Sequence, residues 1–305
     1  MKTKHAALMS LAMAMLIFGT IGIFRKYIEL PSSLIAMTRG VIGALFLLAV
    51  ILIGKRTPDR ASVKRNFPLL CASGILIGFN WILLFEAYRF TTVSTATLCY
   101  YMAPVLVILA APILFRERMT LKRAICVLLA LVGIALVSGL PTGAPEGEQN
   151  TLGILLGLGA ALLYATVVLM NKYIRGISAL DKTVIQLGAA GIIMIPYFFL
   201  TESLSAITPD PRSLILLLVV AILHTGIAYT LYFASIEQLP AQTVAIFSYV
   251  DPVVAILLSA AIFDERMGLG GTVGAILILG ATLLQELPVG QKRERQSEAK
   301  EQDEP

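Results

Sequence analysis

Hydrophobic residues run through this chain in long blocks, and the polar positions gather in short intervals between them. An α-helix rises about 1.5 Å per residue, so about 20 apolar residues cross the hydrocarbon of a bilayer. Blocks of that length recur at Ala6–Phe24, Ser33–Ile53, Phe67–Tyr88, Thr92–Phe115, Leu121–Leu140, Thr151–Asn171, Lys182–Leu200, Ser213–Ile236, Ala241–Phe263 and Leu269–Leu287. The pattern predicts an all-α membrane protein of ten transmembrane helices with short connectors. The interval Pro141–Asn150 is rich in Gly and Pro, holds Glu146 and Glu148, and has no Lys or Arg, which reads as an outward linker. It divides the chain into residues 1–140, a linker at 141–150, residues 151–287 and a tail at 288–305 expected to be disordered and cytoplasmic.

The two parts repeat one another. Thr95-Ala96-Thr97-Leu98-Cys99-Tyr100-Tyr101-Met102-Ala103-Pro104-Val105, followed by Phe115-Arg116-Glu117-Arg118-Met119, matches Thr243-Val244-Ala245-Ile246-Phe247-Ser248-Tyr249-Val250-Asp251-Pro252-Val253, followed by Phe263-Asp264-Glu265-Arg266-Met267. Pro104 and Pro252 are 148 positions apart, as are Glu117 and Glu265. That period is a duplicated half, too long for a solenoid repeat. Five spans per half is an odd number, so the second half enters the bilayer from the opposite side. Inverted repeats of this kind characterise secondary transporters, which bind substrate between the halves near the midplane.

Composition agrees: 57% of residues are hydrophobic, 14% are charged and the mean hydropathy is +0.84, outside the range of a soluble domain. Lys2 and Lys4 before the first block suggest a signal peptide, but no small-residue cleavage site follows. The end of that block, Phe24-Arg25-Lys26-Tyr27-Ile28, also resembles Met170-Asn171-Lys172-Tyr173-Ile174, so it is read as a span. With the N-terminus inside, only Arg25, Lys26, Arg89, Arg212 and Arg266 of the 24 basic residues fall outside, and Arg39 lies within a span. The bias predicts a multi-pass protein of the cell (plasma or inner) membrane with both termini cytoplasmic. The net charge of +5 is a topology signal, with no nucleic-acid partner implied. Cys71, Cys99 and Cys126 lack metal-ligand spacing and neighbouring histidines, so no metal or disulfide is expected.

Two five-span halves, a proline inside the fourth span of each, and a glutamate closing that span (Phe-Arg-Glu-Arg, Phe-Asp-Glu-Arg) resemble the drug/metabolite transporter superfamily of the EamA type. The resemblance covers residues 6–287. It implies a secondary active transporter without cofactors, exporting amino acids or related small polar metabolites by alternating access.

Pro104 and Pro252 each remove a backbone donor and free the carbonyl four residues earlier, on Tyr100 and Ser248. They predict kinks, and flexing points if the helices bend during transport. Helical spacing aligns Ser94, Thr97 and Tyr101 on the fourth span, and the offset places Gln242, Ala245 and Tyr249 opposite them. These stripes are candidates to line a substrate path, with interhelical hydrogen bonding as the plainer reading. Asp251 has no counterpart carboxylate, since Ala103 holds the equivalent position. It reads as an ion-pair partner of Arg39, a proton-coupling group, or a counter-charge for a substrate ammonium. Arg39 is expected to snorkel or to pair with Glu86, with a substrate carboxylate as the alternative. His224 is expected to be a hydrogen-bonded core histidine, with a proton pathway as its other reading. Trp81, Asn80, Tyr164, Tyr229 and Tyr232 are candidates to extend an aromatic, hydrogen-bonding pocket. Glu117 and Glu265 are expected to pair with local arginines or cap loops.

Two other functions use these residues. A multidrug exporter would set Asp251 and aromatic walls against lipophilic cations. An intramembrane enzyme needs a nucleophile with a base, a carboxylate pair or a metal motif; isolated His5 and His224 and the different depths of Asp251 and Glu86 disfavour it. No Gly-x-x-x-x-Gly-Lys-Ser/Thr loop is present, so ATP is not the energy source. The expected partners are a small-molecule substrate, the lipid bilayer and protons. Gly153/Gly157 and Gly270/Gly274 have small-residue spacing, for internal packing or a weak homodimer in place of a monomer.

Overall fold

The computed structural model describes residues 2–55, 60–115, 119–138, 148–203, 205, 207 and 210–286, apart from the side chains of Lys2, Thr3, Glu148, Ala241, Gln242, Ala245 and Glu286. Most of the 141–150 linker, the 288–305 tail and Glu117 lie outside the described residues. The helices are α1 (Lys2–Gly19), α2 (Ile21–Tyr27), α3 (Ser32–Ile53), α4 (Arg60–Phe90), α5 (Val93–Tyr100), α6 (Ala103–Phe115) and α7 (Leu121–Val137) in the first half. The second half holds α8 (Glu148–Asn171), α9 (Ala179–Thr201), α10 (Pro211–Val219), a π-helical stretch (Val220–Ile227), α11 (Ala228–Ile236), α12 (Ala241–Ser248), α13 (Val250–Phe263) and α14 (Leu269–Glu286).

Among the described residues, eight helical stretches are long and apolar enough to cross a membrane. They include α1 with α2, α5 with α6, and α10 through α11, each pair or trio forming one stretch. The shorter α7 and α14 occupy the fifth and tenth blocks of the sequence pattern. Large apolar side chains such as Ile53, Ile113 and Leu200 are more than four-fifths exposed, the mark of a surface solvated by lipid. Thr92, Thr120, Ser178 and Asp210 cap the starts of α5, α7, α9 and α10 by accepting from a backbone N–H three residues on.

The packing joins the halves pairwise. α3 crosses α9, α7 lies against α14, α4 against α8, and α1 against α11. In order of spans these are second with seventh, fifth with tenth, third with sixth and first with eighth. Exchanging the halves maps this set onto itself, as a twofold relation requires. The crossings rest on glycine: a Cβ on Gly40 would stand 2.5 Å from the Gly191 backbone nitrogen, and one on Gly274 would stand 2.5 Å from the Gly133 carbonyl oxygen. In a bilayer, where lipid tails are as apolar as leucine, such close approach supplies dispersion contacts that burial alone does not. Gly153 and Gly157 pack against Thr91, Cys99 and Ala96, so both small-residue stripes are used inside the chain.

Candidate functional site

Proline places the centre of the site. Residue 104 cannot donate to Tyr100, and the fourth span breaks there: Met102 N–H turns to Cys99 O (3.1 Å), and α6 starts afresh at Ala103. Pro252 does the same in the ninth span, where α12 stops at Ser248 and Tyr249 N–H reaches Ile246 O (3.2 Å). The Ser248 carbonyl that Pro252 leaves without its helical donor has another neighbour. The Tyr101 hydroxyl lies 3.2 Å from it and 3.0 Å from Asp251 Oδ2. Two broken helices from opposite halves thus meet through one phenol.

Around this point opens a cavity of about 580 Å³. Asp251, Tyr101, Thr97, Asn80, Trp81, Arg39 and Pro104 line it, together with Tyr164, Tyr229 and Tyr232. It extends past Asn171 to Ala179, Lys182 and Thr183 in the first turns of α9, toward the end of the bundle that carries the N-terminus. Aromatic rings form its walls: Tyr100 stacks on Tyr164 with centroids 5.5 Å apart, and Phe18 meets Tyr229 edge to face at 5.4 Å.

Arg39 enters from α3. It is 3% exposed, its Nε donates to Thr225 Oγ1 (3.0 Å), and its guanidinium carbon sits 4.1 Å from the Trp81 ring centroid and 5.3 Å from that of Phe85. A desolvated cation over an aromatic face gains about 2 kcal/mol. The expected pairing with Glu86 does not form. Glu86 stands near the end of α4 with Arg89 (2.9 Å), Arg25 (4.0 Å) and the Ser32 hydroxyl (2.5 Å), because it leaves the helix on the face opposite Trp81, Leu84 and Tyr88, which line the cavity. Nor is Arg39 in an ion pair with Asp251: among the described residues no carboxylate lies within 4.0 Å of its nitrogens. At the centre of the chamber Arg39 and Asp251 face the same space, each held by neutral groups.

Among the described residues, the other sequence candidates lie outside the lining. His224 is fully buried behind it, with Nε2 2.8 Å from Thr20 Oγ1 and Phe24 against its ring. Within the π-helical stretch the neighbours His224 and Thr225 both point inward, one toward Thr20 and Phe24 at the start of α2 and one toward α3. Ser94 is buried in α5, and Tyr249 sits at the α12–α13 break away from the chamber. The Gln242 side chain lies outside the described residues. α13 packs on α5, while α12, which carries Gln242 and Ala245, packs on α1 and α14. Sequence reasoning missed Tyr88, whose hydroxyl is 3.4 Å from Thr97 Oγ1, and Gln186, whose amide donates to Ser73 Oγ (2.7 Å) and Asn171 Oδ1 (2.9 Å). Gln186 was visible as an uncharged polar residue inside an apolar block.

At the opposite end the cavity is sealed. Lys26 Nζ bonds Glu265 Oε1 (3.1 Å) and the Thr91 carbonyl (3.2 Å), and Glu265 Oε2 accepts from Val93 N–H (2.9 Å) and Ser259 Oγ (2.5 Å). Glu265 therefore caps α5 of the other half, and the expected local arginine partner is absent: Arg266 pairs with Asp264 (2.8 Å). Arg25 donates to Ile28 O (2.7 Å) and Ser32 Oγ (3.0 Å) nearby.

A polytopic membrane protein of two like halves, closed at one end and holding a charged, aromatic chamber at its seam, has the construction of a carrier. The chain matches the EamA-like transporter family model twice, over residues 5–139 and 151–285, and it belongs to that family. It is similar to the Uncharacterized transporter YxxF of Bacillus subtilis, with 31% identity over 93% of this chain and 90% of the relative. Protein RarD of Escherichia coli is 26% identical over 88% of each chain, and Protein PecM of Dickeya dadantii 26% identical over 81% of this chain and 82% of its own. A crystal structure with TM-score 0.61 and 18% identity, spanning 92% of this chain and 96% of its own, shares the fold.

Proposed function

We propose that this transporter carries amino acids or related small zwitterions out of the cell by alternating access, with proton coupling through Asp251. The observation that carries the reading is the placement of Arg39 and Asp251 in one chamber without contact between them. An amino acid brings a carboxylate for the guanidinium and an ammonium for the aspartate. The chamber's volume of about 580 Å³ suits such a ligand.

The Tyr101–Asp251 geometry favours proton coupling. When Asp251 is ionised, the phenol donates to it. When Asp251 is protonated, its own hydroxyl donates to the phenol oxygen, and the phenol donates to Ser248 O instead. In both protonation states the carboxyl keeps a hydrogen bond to the phenol, and the phenol's single proton goes to the carboxylate in one state and to the Ser248 carbonyl in the other. The positive-inside bias puts the open end of the chamber at the cytoplasm, which suits loading from within. The sealed end would open in the outward state.

The test is uptake of a labelled amino-acid panel into proteoliposomes with and without an imposed proton gradient. Accumulation of a few zwitterions that follows the gradient is expected. Preference for quaternary ammonium compounds would replace this reading with the drug-export one, and absence of transport across the panel would end the amino-acid assignment.

A further inference from the structure

A second cavity, of about 570 Å³, lies where α3, α4 and α9 meet at the end of the bundle that carries the N-terminus. Its walls are apolar, formed by Leu48 and Ile51 of α3, Phe67 of α4 and Val184 of α9. Leu48 and Phe67 are 41% and 52% exposed, so the groove is continuous with the lipid-facing surface. Its rim is charged. Arg60 and Lys64, one turn apart on α4, stand on one side, and Asp181 of α9 stands on the other.

These rim groups differ in their engagement. Asp181 Oδ2 accepts from the Ser178 hydroxyl (2.8 Å) within the α9 cap. Arg60 and Lys64 are exposed and make no hydrogen bond or ion pair among the described residues. Pro68, which also lines the groove, leaves the Lys64 carbonyl without its helical donor. The rim therefore offers two cationic donors, one carboxylate acceptor and one backbone acceptor above an apolar cleft.

We propose that this groove binds an anionic phospholipid of the phosphatidylglycerol type. Three features select that occupant. The rim lies at the start of α4 and of α9, the boundary level where headgroups sit, and basic pockets between helices at this level bind anionic headgroups. Two cations and one carboxylate leave a single net positive charge, matched by one phosphodiester. The glycerol hydroxyls of the headgroup can donate to Asp181 and the Lys64 carbonyl while the acyl chains fill the cleft. The groove also has walls from both halves, and Lys182, next to Asp181, lines the central chamber. A lipid seated here bridges the two halves beside the mouth of the chamber. This inference does not depend on the identity of the transported substrate.

The experiment is native mass spectrometry of the full chain in detergent, with an equimolar mixture of phosphatidylglycerol, phosphatidylethanolamine and phosphatidylcholine. The first retained lipid is expected to be phosphatidylglycerol. The double variant Arg60→Gln/Lys64→Gln is expected to lose that preference by roughly tenfold or more, while Arg266→Gln at the opposite end keeps it. Should the double variant fail to fold, each single exchange is expected to lower the preference partway. Equal retention of all three lipids, undiminished preference in the variants, or displacement of the lipid by millimolar inorganic phosphate would overturn the proposal.

Discussion

The hydroxyl of Tyr101 stands 3.0 Å from the carboxylate of Asp251, and the bond crosses from one half of the molecule to the other. Its neighbour, the Ser248 carbonyl at 3.2 Å, is free to take part only because Pro252 cannot donate to it. A covalent accident of proline thus supplies the second acceptor of a switchable pair.

Asp251→Asn keeps the shape of that pair and removes its ability to change charge. Substrate exchange is expected to continue while accumulation driven by a proton gradient disappears. Counterflow and gradient-driven uptake, measured on the same vesicles, separate the two. Tyr101→Phe removes a hydrogen bond to a charged group, worth about 1.5–3 kcal/mol, and is expected to slow coupled transport by about tenfold or more.

Arg39 meets the Trp81 face at 4.1 Å, a contact that uses the planarity of guanidinium. Arg39→Lys is expected to weaken binding of carboxylate-bearing substrates by about tenfold, and Arg39→Gln more, while the corresponding decarboxylated amines lose far less. Binding isotherms for matched acid and amine pairs test this. Equal loss for both members would remove Arg39 from carboxylate recognition.

The Lys26–Glu265 pair, with side chains 25% and 15% exposed, ties α2 to the end of α13 and caps α5 at once. Partly buried pairing and capping of this kind contribute about 1–2 kcal/mol. In a background freed of the native cysteines, Glu265→Gln is expected to raise labelling of Thr97→Cys by an impermeant thiol reagent, applied at the sealed end, about fivefold or more. Unchanged labelling would show that other contacts keep this end shut.

Gly40→Ala adds a methyl group that would stand 2.5 Å from the Gly191 nitrogen, whereas a Cβ on Gly188 meets nothing within 4 Å. The first is expected to destabilise the protein by about 1–3 kcal/mol through overpacking, and Gly188→Ala to be near neutral. Thermal melting in detergent compares them.

The repeat and the helical breaks were legible because prolines and apolar blocks act locally, each dictating the backbone of its own turn. The chamber's polar centre was legible in part, since Asp251, Arg39 and Tyr101 stand out in apolar surroundings. What failed was the inference from symmetry to contact. A 148-residue offset sets Tyr249 against Tyr101, but α12 packs on α1 and α14, and the partner that arrives is Asp251. Depth misled for Arg39 as well: Glu86 lies beyond reach, and Thr225, the group that does hold the guanidinium, is presented by a π-helical turn with no sequence signature. Gln186 and Tyr88 needed the third dimension to join the site.

That π-helical stretch has a consequence for everything after it. Wider turns between Val220 and Ile227 shift the angular phase of α11, and the phase sets which faces of Tyr229 and Tyr232 look into the chamber. Each residue of an α-helix turns the chain by about 100°. Deleting Ala221 would let the stretch relax to ordinary pitch with little net change of phase, the greater rotation per residue offsetting the lost residue, whereas tightening the stretch at its present length would swing both tyrosines round the axis together. The inward wall of the eighth span is therefore indexed like a dial, set by the number of residues that the wide turns hold.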